Sequence, residues 1–291
     1  MPAAGILVLN KPSGIASRRA TDAVSRLLGE KKAGHVGTLD PLASGVLPVA
    51  VGAATRLIPF LEPSDKLYRA TIRLGRATDT QDAAGETLFT APYDLDPAAI
   101  TAAAATFQGE LRQLPPMYSA LKKDGVPLYR LARSGVTVER VPRRIVVFAL
   151  LCESIALPDL TLRVHCGPGV YIRTLAHDLG LKLGCGAHLA ALVRLQSGPF
   201  TLDQAADLDD LDPESARARL LPPAACLPHL PALELTGEEE AAIRDGRAIP
   251  LRGLVPGGLA RLLVRGELLA VARAETAGFL RPLRVFPGAQ P

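Results

Sequence analysis

The chain has 291 residues, of which 48% are hydrophobic and 21% charged, with a net charge of +4. This is the composition of a folded protein of one large domain or two, and it excludes a largely disordered chain. Residues 41–55 form the most membrane-like stretch, but they are too few and too rich in proline and glycine to span a bilayer. Because no charged segment and long apolar run open the sequence, we expect no secretory signal and a cytoplasmic location.

The first half of the chain predicts helices and strands in an irregular order. Apolar residues at helical spacing predict a helix that Ser17 caps and Gly29 ends. Residues 66–75 alternate between apolar and polar side chains, which predicts a strand with one buried and one wet face. Asp96 followed by proline predicts the start of an alanine-rich helix that runs to about Gln108.

The middle of the chain continues this mixed pattern. Alternating apolar residues from Leu160 to Cys166 predict a second strand, and the segment after it leads into a helix from Thr174 to Leu183, ended by Gly184. Strands and helices that do not alternate strictly are typical of an α+β layer fold.

The sequence changes character near residue 220. Residues 220–233 contain four prolines, which is typical of a linker. Beyond it, Thr236 and Glu239 predict a capping box for a short helix ended by Gly246. A hairpin turning at Arg265 and Gly266 and a strand over 279–286 follow, and roughly 60 residues of short strands predict a small barrel. The predicted domains are therefore residues 1–220 and 231–291.

The positive charge is concentrated in residues 122–144. Seven basic residues stand there against two acidic ones, a net charge of +5, so the rest of the chain carries −1. The chain has 26 arginines and 7 lysines, and arginine suits phosphate binding and base stacking. A genome rich in G and C would give the same bias, and a charge run is usually a solvated face, so composition alone does not establish RNA binding.

The four cysteines are scattered, and no two form a CxxC pair. Cys185 and His188 have the spacing of a metal-ligand pair, but no second pair lies at a suitable distance. Reduced thiols are therefore predicted in place of a metal site.

Asp40 lies in the segment GHVGTLDPLASG, residues 34–45, which has three glycines. Asp-Pro is a common helix start, with the aspartate as cap. Gly45 follows within five residues, however, and glycine also serves where the backbone needs positive φ or close approach. From this pattern alone, Asp40 is either a helix cap or the acid of a functional loop.

This segment, extended to GHVGTLDPLASGVLP, resembles the central motif of the TruB family of tRNA pseudouridine synthases. Other segments resemble family motifs in the expected order, and the resemblance covers about residues 5–205. They are LNKPSGIAS (9–17), KLYRATIRLGRATDTQDAAG (66–85), QLPPMYSALKKDGVPLYRLARSG (113–135), GVYIRTLAHDLG (169–180) and LGCGAHLAALVRLQSG (183–198). In CGPGVY, residues 166–171, the chain departs from many members, which carry Lys before the glycine and Thr after it.

The resemblance implies a pseudouridine synthase fold. This is an α+β fold with a central mixed, mainly antiparallel sheet flanked by helices, a thumb insertion at about residues 108–147, and a small C-terminal PUA-like β-barrel. It also implies a stand-alone bacterial enzyme, a monomer without an obligate protein partner, that isomerises uridine 55 in the T loop of tRNA. No cofactor or metal is expected, because moving the C1′ bond of the base from N1 to C5 neither oxidises nor adds anything.

The resemblance also assigns the site. Asp40 is the implied nucleophile, Arg173 the cation that keeps it ionised, and Tyr68 the ring over the flipped uracil. Attack on C6, attack on C1′ and elimination to a glycal all remain open. Burial should raise the pKa of the carboxyl, and a guanidinium ~4 Å away offsets this by roughly 4 kcal/mol at an effective dielectric near 20. The implied substrate and RNA contacts are His35, Tyr171, Leu192, Lys11, Arg130, Arg133, Arg143 and Arg144.

Further roles and alternatives follow. His35 is implied to occupy space that the target nucleotide vacates, and Lys11 with Pro12 to brace the catalytic loop. From the residues alone, the pattern favours a buried position on a strand's apolar face for Tyr68, and Arg173 could be a surface arginine at a strand end.

Three other functions stay open. The protein could be a non-catalytic RNA-binding protein or chaperone, the catalytic subunit of a guide-RNA particle, or a carboxylate-nucleophile hydrolase. A hydrolase would need a base near Asp40, and only His35 is close in sequence.

Overall fold

The computed structural model of the chain describes residues 4–61 and 63–286. The ends of the two predicted domains, residues 1–3 and 287–291, lie outside the described residues. The helices are α1 (Ser17–Leu28), α2 (Ile58–Leu61), α3 (Pro97–Ala105), α4 (Leu128–Arg133), α5 (Ile172–Lys182), α6 (Pro213–Ala218) and α7 (Gly237–Arg244). The strands up to residue 156 are β1 (Gly5–Lys11), β2 (Ala33–His35), β3 (Ser44–Val51), β4 (Lys66–Leu74), β5 (Arg76–Thr78), β6 (Thr87–Thr90), β7 (Gly109–Gln113), β8 (Lys122–Lys123), β9 (Val126–Pro127) and β10 (Arg143–Ala156). The later strands are β11 (Asp159–Cys166), β12 (Ala187–Ser197), β13 (Phe200–Thr201), β14 (Ala206–Asp207), β15 (Ala232–Glu234), β16 (Ile249–Pro250), β17 (Leu259–Val264), β18 (Glu267–Ala274) and β19 (Phe279–Val285).

A large sheet forms the centre of the molecule, with ten strands among the described residues. Its order is β14-β1-β3-β12-β4-β11-β10-β7, with β13 paired to β12 and β2 paired to β3. The β1/β14 and β3/β12 pairs are parallel and the other neighbours antiparallel. The predicted mixed, mainly antiparallel sheet is therefore confirmed.

The predicted strands at the centre of this sheet are confirmed. In β4, residues at even positions are buried while Arg69 and Arg73 are exposed, as the alternation predicts. Neighbouring β11 pairs with it over its whole length, and Tyr68 lies opposite Val164. The alanine-rich helix is α3, capped by the Asp96 side chain, and α5 begins two residues before the predicted start.

Helix α1 is confirmed, and Gly29 ends it in the left-handed conformation, but the prediction that Ser17 caps it is wrong. The N-cap residue is Ala16, whose side chain offers no cap. The Ser17 hydroxyl accepts from the Leu39 N–H and donates to the Leu39 carbonyl, each at 2.8 Å. The Ser17 hydroxyl bonds to Leu39, 22 residues away, and does not cap the helix, because it satisfies the buried N–H and C=O groups of that residue.

Two apolar cores lie on the two faces of β1 and β3. On one face, residues such as Leu7 and Leu47 pack with apolar residues of α1, α3, α5 and α6. On the other face, Ile6 and Val46 pack with residues of the C-terminal strands, including Val271. Alternation along each strand sends successive side chains to opposite layers.

The proline-rich segment, predicted as a linker, packs against the central sheet, while the domain boundaries on either side of it stay a prediction. Cys226 and Leu227 are fully buried in the second core, and Leu221 exchanges two backbone hydrogen bonds with Ile6. Proline makes this segment extended, but the apolar residues between the prolines still pack. The C-terminal strands are thereby joined to the central sheet by a continuous core.

The C-terminal part is a curled, half-barrel sheet with five strands among the described residues, in the order β15-β17-β18-β19-β16. The capping box at Thr236 and Glu239 and the hairpin are confirmed. Arg265 and Gly266 have φ values of 50° and 79°, as a tight hairpin turn requires. No helix in the described ranges combines the length and apolarity needed to cross a membrane.

Candidate active site

Asp40 lies on the loop between β2 and β3, and no helix follows it: Pro41 and Leu42 form a turn that leads into β3. The helix-cap interpretation is therefore excluded. The turn after β1 fixes the loop backbone, since the Gly14 N–H donates to the Pro41 carbonyl at 2.7 Å and the Ser13 hydroxyl to that of Leu42 at 2.7 Å. These contacts involve only the backbone of the loop, so they do not occupy the Asp40 side chain.

The Asp40 carboxylate faces Arg173, in the first turn of α5. Oδ2 lies 3.4 Å from Nη2 of Arg173, whose side chain is 6% exposed while that of Asp40 is 38% exposed. Burial raises the pKa of Asp40, the Arg173 charge opposes that rise, and Asp82 adds to it. The carboxyl is thus closely surrounded by protein yet accessible, and the accessible space in front of Asp40 and Arg173 is the candidate active-site cleft. The nearby cation predicted from the sequence is in place.

Arg173 has other neighbours besides Asp40. Its Nη2 donates to the backbone carbonyl of Tyr118, and its guanidinium lies 5.8 Å from the Tyr171 ring centroid, in cation–π range. The Nε atom is buried and has no hydrogen-bond partner among the described residues. Gln113 holds the Tyr171 backbone through two hydrogen bonds, at 2.9 and 3.0 Å, and so fixes the start of α5.

Tyr68 is 8% exposed on β4, and its cross-strand partner on β12 is Arg194. Burial raises the pKa of the Tyr68 phenol, while the charge and a hydrogen bond of Arg194 oppose that rise. Leu192 is 7% exposed and lies opposite Ala70 on the same pair of strands.

His35 ends β2 and is held at both ring nitrogens. Thr21 donates its hydroxyl proton to the Ser17 carbonyl at 2.9 Å, so it accepts from Nδ1 of His35, 3.0 Å away. The Thr38 hydroxyl lies 3.2 Å from Nε2. These contacts suit a neutral ring that donates at Nδ1 and accepts at Nε2. In agreement, burial, Arg194 and Arg18 lower the His35 pKa.

Lys11 is completely buried beneath the Asp40 loop. Its Nζ donates to the carbonyls of Pro12 and Ile15, at 2.8 Å each. Burial lowers its pKa to about 8, Asp40 opposes that change and Arg194 adds to it. These contacts favour a bracing role over direct contact with RNA.

We predict that the free energy of unfolding of the wild type rises relative to that of Lys11→Met between pH 8 and pH 10. The folded-state pKa of Lys11, about 8, lies below its ordinary value of 10.5. The unfolded chain therefore binds more protons in this window, and stability increases with pH. The relative gain is at most about 3 kcal/mol. Urea unfolding of both proteins at pH 7.5 and 10 measures it, and parallel pH dependences would contradict the pKa.

The predicted thumb, at about residues 108–147, carries the four predicted RNA-binding arginines. Arg130 and Arg133 are exposed on α4, and Arg133 lies 5.7 Å from the Tyr129 ring centroid. Arg143 and Arg144 are exposed at the start of β10, where Arg144 is ion-paired with Glu110. The thumb also reaches the cleft directly, because Tyr118 contacts Arg173.

Two charged residues near the site were missed by sequence reasoning, Asp82 and Arg194. Asp82 is 7% exposed, and its carboxylate accepts from the Thr80 hydroxyl at 2.6 Å and the Ala84 N–H at 3.0 Å. Arg194 is 1% exposed at the centre of the sheet. For Arg194 the available signal was a charged residue within the otherwise apolar pattern of β12, since a buried arginine needs partners.

The other cysteine and histidine positions show no metal cluster. Cys185 and His188, the pair considered for zinc, turn to the backbone carbonyls of Gly186 and Arg76. No group of three or more potential ligands lies together in the described part of the chain. The four cysteines are free thiols, and three of them are buried.

Two family models match the chain. Residues 25–172 match the model described as TruB family pseudouridylate synthase (N terminal domain), and residues 173–223 match the tRNA pseudouridylate synthase B C-terminal domain. Among curated proteins, tRNA pseudouridine synthase B of Geobacter sulfurreducens is 48% identical over 97% of this chain and 99% of its own length. The protein of the same name from Burkholderia lata is 47% identical over 97% of this chain and 89% of its own.

Solved structures show the same fold. A chain from a Cbf5-Nop10-Gar1 complex has a TM-score of 0.77 at 29% identity, covering 97% of this chain and 85% of that one. A chain from an H/ACA RNP bound to a substrate RNA containing 2'-deoxyuridine has a TM-score of 0.76 at 26% identity, covering 98% and 85%.

Proposed function

This chain belongs to the TruB family of pseudouridine synthases, and from that premise we propose that it isomerises uridine 55 in the T loop of tRNA. The observation that carries the proposal is the accessible Asp40 carboxylate, 3.4 Å from the buried guanidinium of Arg173. The cleft offers an anionic nucleophile with a cation that favours its ionised form. The curated relatives are named for the conversion of tRNA uridine to pseudouridine, which supports this substrate.

In the proposed reaction, the target nucleotide leaves the T-loop stack at a cost of about a few kcal/mol and enters the cleft. Its uracil stacks on Tyr68, which is worth roughly 1–3 kcal/mol for such a ring. His35 takes the space that the nucleotide vacates, and its neutral ring, held by two threonine hydroxyls, can stand beside bases without a charge. Tyr171 and Leu192 border the base.

The chemistry needs one carboxylate and no external reactant. Asp40 promotes cleavage of the bond between N1 and C1′, the freed uracil turns, and a new bond forms between C5 and C1′. The proton on C5 passes to solvent, N1 gains a proton, and Asp40 is released unchanged. Arg173 serves as the counter-cation to the carboxylate throughout.

The thumb and the C-terminal sheet are proposed to hold the RNA on either side of the chemistry. The thumb segment carries a net charge of +5, and its four exposed arginines suit phosphate contacts. The C-terminal unit, residues 231–286 of the described chain, would contact the acceptor stem. Its apolar core is continuous with β1 and β3, so its position relative to the cleft is set by packing.

We predict that neutralising the four thumb arginines weakens tRNA binding and flattens its dependence on salt. Each lost phosphate contact should lower the slope of log K against log salt by about 0.7 to 0.9. The variant carries glutamine at 130, 133, 143 and 144, and filter binding at several salt concentrations measures the slope. A control with half as many substitutions replaces Arg69 and Arg163, which pair with Glu153. An equal effect in both proteins, or none in the first, would remove the thumb from the interface.

The enzyme is proposed to act alone as a monomer. Its relatives named tRNA pseudouridine synthase B are 47–48% identical, whereas the Cbf5-complex and H/ACA RNP chains are 26–29% identical and extend beyond this chain. A guide-RNA-dependent subunit would require added RNA and protein for activity. A hydrolase would require a base beside Asp40, and both ring nitrogens of His35 are already hydrogen-bonded.

Release of tritium from tRNA transcripts labelled at uridine C5 tests the function. The purified protein alone should release about one equivalent per tRNA, and a transcript with cytidine at position 55 should give none. Nucleoside analysis should find pseudouridine and no free uracil. Binding without release would support the RNA-binding or guide-dependent alternatives, free uracil would support the hydrolase, and equal release from both transcripts would overturn the assignment of position 55.

A further inference from the structure

Arg194 is a buried charge that the proposed chemistry does not yet use. It is 1% exposed and among the largest fully buried side chains of the described chain. It lies on β12 between parallel β3 and antiparallel β4, where its register partners are Gly45 and Tyr68. Gly45 lies at the start of β3, directly after the Asp40 loop, and Tyr68 is the proposed uracil-stacking residue.

The guanidinium of Arg194 binds both ends of the Asp40 loop. Its Nε donates to the Val46 carbonyl at 2.7 Å, and its Nη2 donates to the Gly37 carbonyl at 2.9 Å. A Cβ atom on Gly37 would stand 3.3 Å from Nη1 of Arg194. The side chain therefore spans the base of the loop and fixes the separation of its two ends.

The stability of the fold does not explain why a charged residue occupies this buried position. Within the described ranges, no carboxylate lies within ion-pair distance of Arg194, and its backbone acceptors are carbonyl dipoles. Burying an unpaired ion costs several kcal/mol, and apolar replacements of buried charges are often neutral or stabilising. A neutral residue would avoid that cost, so the charge has a use that packing does not supply.

The remaining partner of Arg194 is the phenol of Tyr68. The two residues are directly opposite in the β4/β12 register, which places their Cβ atoms about 4.5–5.5 Å apart on one face of the sheet. In agreement, Arg194 opposes the rise that burial causes in the pKa of the Tyr68 phenol. Arginine has only donors, so in such a contact the phenol oxygen accepts. The single phenol proton is then free to point away from Arg194, toward the cleft.

We propose that Arg194 is a positioning residue that orients the Tyr68 phenol toward the bound base and clamps the loop that carries Asp40. One side chain thus fixes the ring and the nucleophile relative to each other. The inference rests on the proposed isomerisation for its activity readout and adds a residue to it. Arg194 need not touch the substrate, because it acts through Tyr68 and through the backbone of residues 37–46.

A double-mutant cycle tests this role. Single-turnover isomerisation is measured for wild type, Arg194→Met, Tyr68→Phe and the double variant, together with tRNA affinity and urea unfolding. Arg194→Met should slow turnover about 100-fold and leave affinity within about 2-fold. In the Tyr68→Phe background, where the phenol oxygen is absent, the further loss should shrink to about 10-fold or less, which is the coupling expected of directly interacting groups.

Arg194→Lys and Arg163→Met complete the experiment. Lysine keeps the charge but cannot reach all three acceptors, so an intermediate rate is expected. Arg163, half-exposed on β11 and paired with Glu153, should tolerate methionine without loss of rate. Losses that multiply independently in the double variant, or failure of both Arg194 variants to fold, would assign Arg194 to stability and overturn the inference. An inactive wild type would instead refute the proposed function.

Discussion

Asp40→Asn is expected to lower the rate of pseudouridine formation at least about 1,000-fold, because an amide can neither attack nor promote departure of the base. The variant should bind tRNA with nearly unchanged affinity, since the substitution keeps the size and shape of the side chain. It should also fold, because the contacts that hold the loop come from its backbone. Tritium release under single-turnover conditions and filter binding measure the two effects separately.

A matched control is Asp209→Asn, which removes one exposed carboxylate from a turn remote in sequence from the loop. Its rate should equal that of the wild type, so any loss in Asp40→Asn cannot be assigned to net charge. A rate within about tenfold of wild type in Asp40→Asn would show that no ionised group is needed at this position, because each tenfold corresponds to only about 1.4 kcal/mol of the barrier. The proposed mechanism would then be wrong.

Gly45→Ala is expected to reduce the free energy of unfolding by about 3–5 kcal/mol. Gly45 has φ near 100°, which disfavours any side chain, and an added Cβ would lie 2.3 Å from the carbonyl oxygen of Arg194 and 2.8 Å from its nitrogen. Both atoms belong to the backbone of a central strand, so neither can move without breaking the β3/β12 pairing. Activity should fall with stability, because this contact holds the end of the Asp40 loop.

Gly109→Ala is the control that separates the effect of backbone strain at positive φ from the effect of the steric clash at Gly45. Gly109 has φ near 102°, but an alanine methyl group there would meet no described atom within 4 Å, so only the conformational strain of about 1–2 kcal/mol is expected. Urea unfolding of both variants should show a markedly larger loss at Gly45. Equal losses would mean that the close approach of β12 to the loop contributes little to stability.

The predicted thumb contacts Arg173, the proposed counter-cation of Asp40. Arg173 donates to the Tyr118 carbonyl, while Gln113 at the thumb base holds the backbone of Tyr171. The segment proposed to grip RNA therefore also sets where the guanidinium stands relative to Asp40. Positioning through backbone contacts in this way leaves the Asp40 side chain accessible.

The local elements were determined by the sequence itself. Alternation specified β4 and β11, glycine ended α1, and the Thr236 capping box specified α7, because each of these depends on neighbours within a few residues. Motif resemblance named Asp40, Tyr68 and Arg173 as one site. Their spacing along the chain, from residue 40 to residue 173, carried no information about distance.

Tertiary structure decided the contacts between distant segments. The Ser17 hydroxyl hydrogen-bonds to the distant Leu39 and does not cap its own helix. The proline-rich segment is buried because its apolar residues pack against those of β1 and the C-terminal strands. Arg194 and Asp82 became buried beside the site only when distant segments of the chain met. The buried Arg194 charge is kept by the carbonyls of Val46 and Gly37, which lie 148 and 157 residues away in sequence. Local sequence does not encode contacts over such separations.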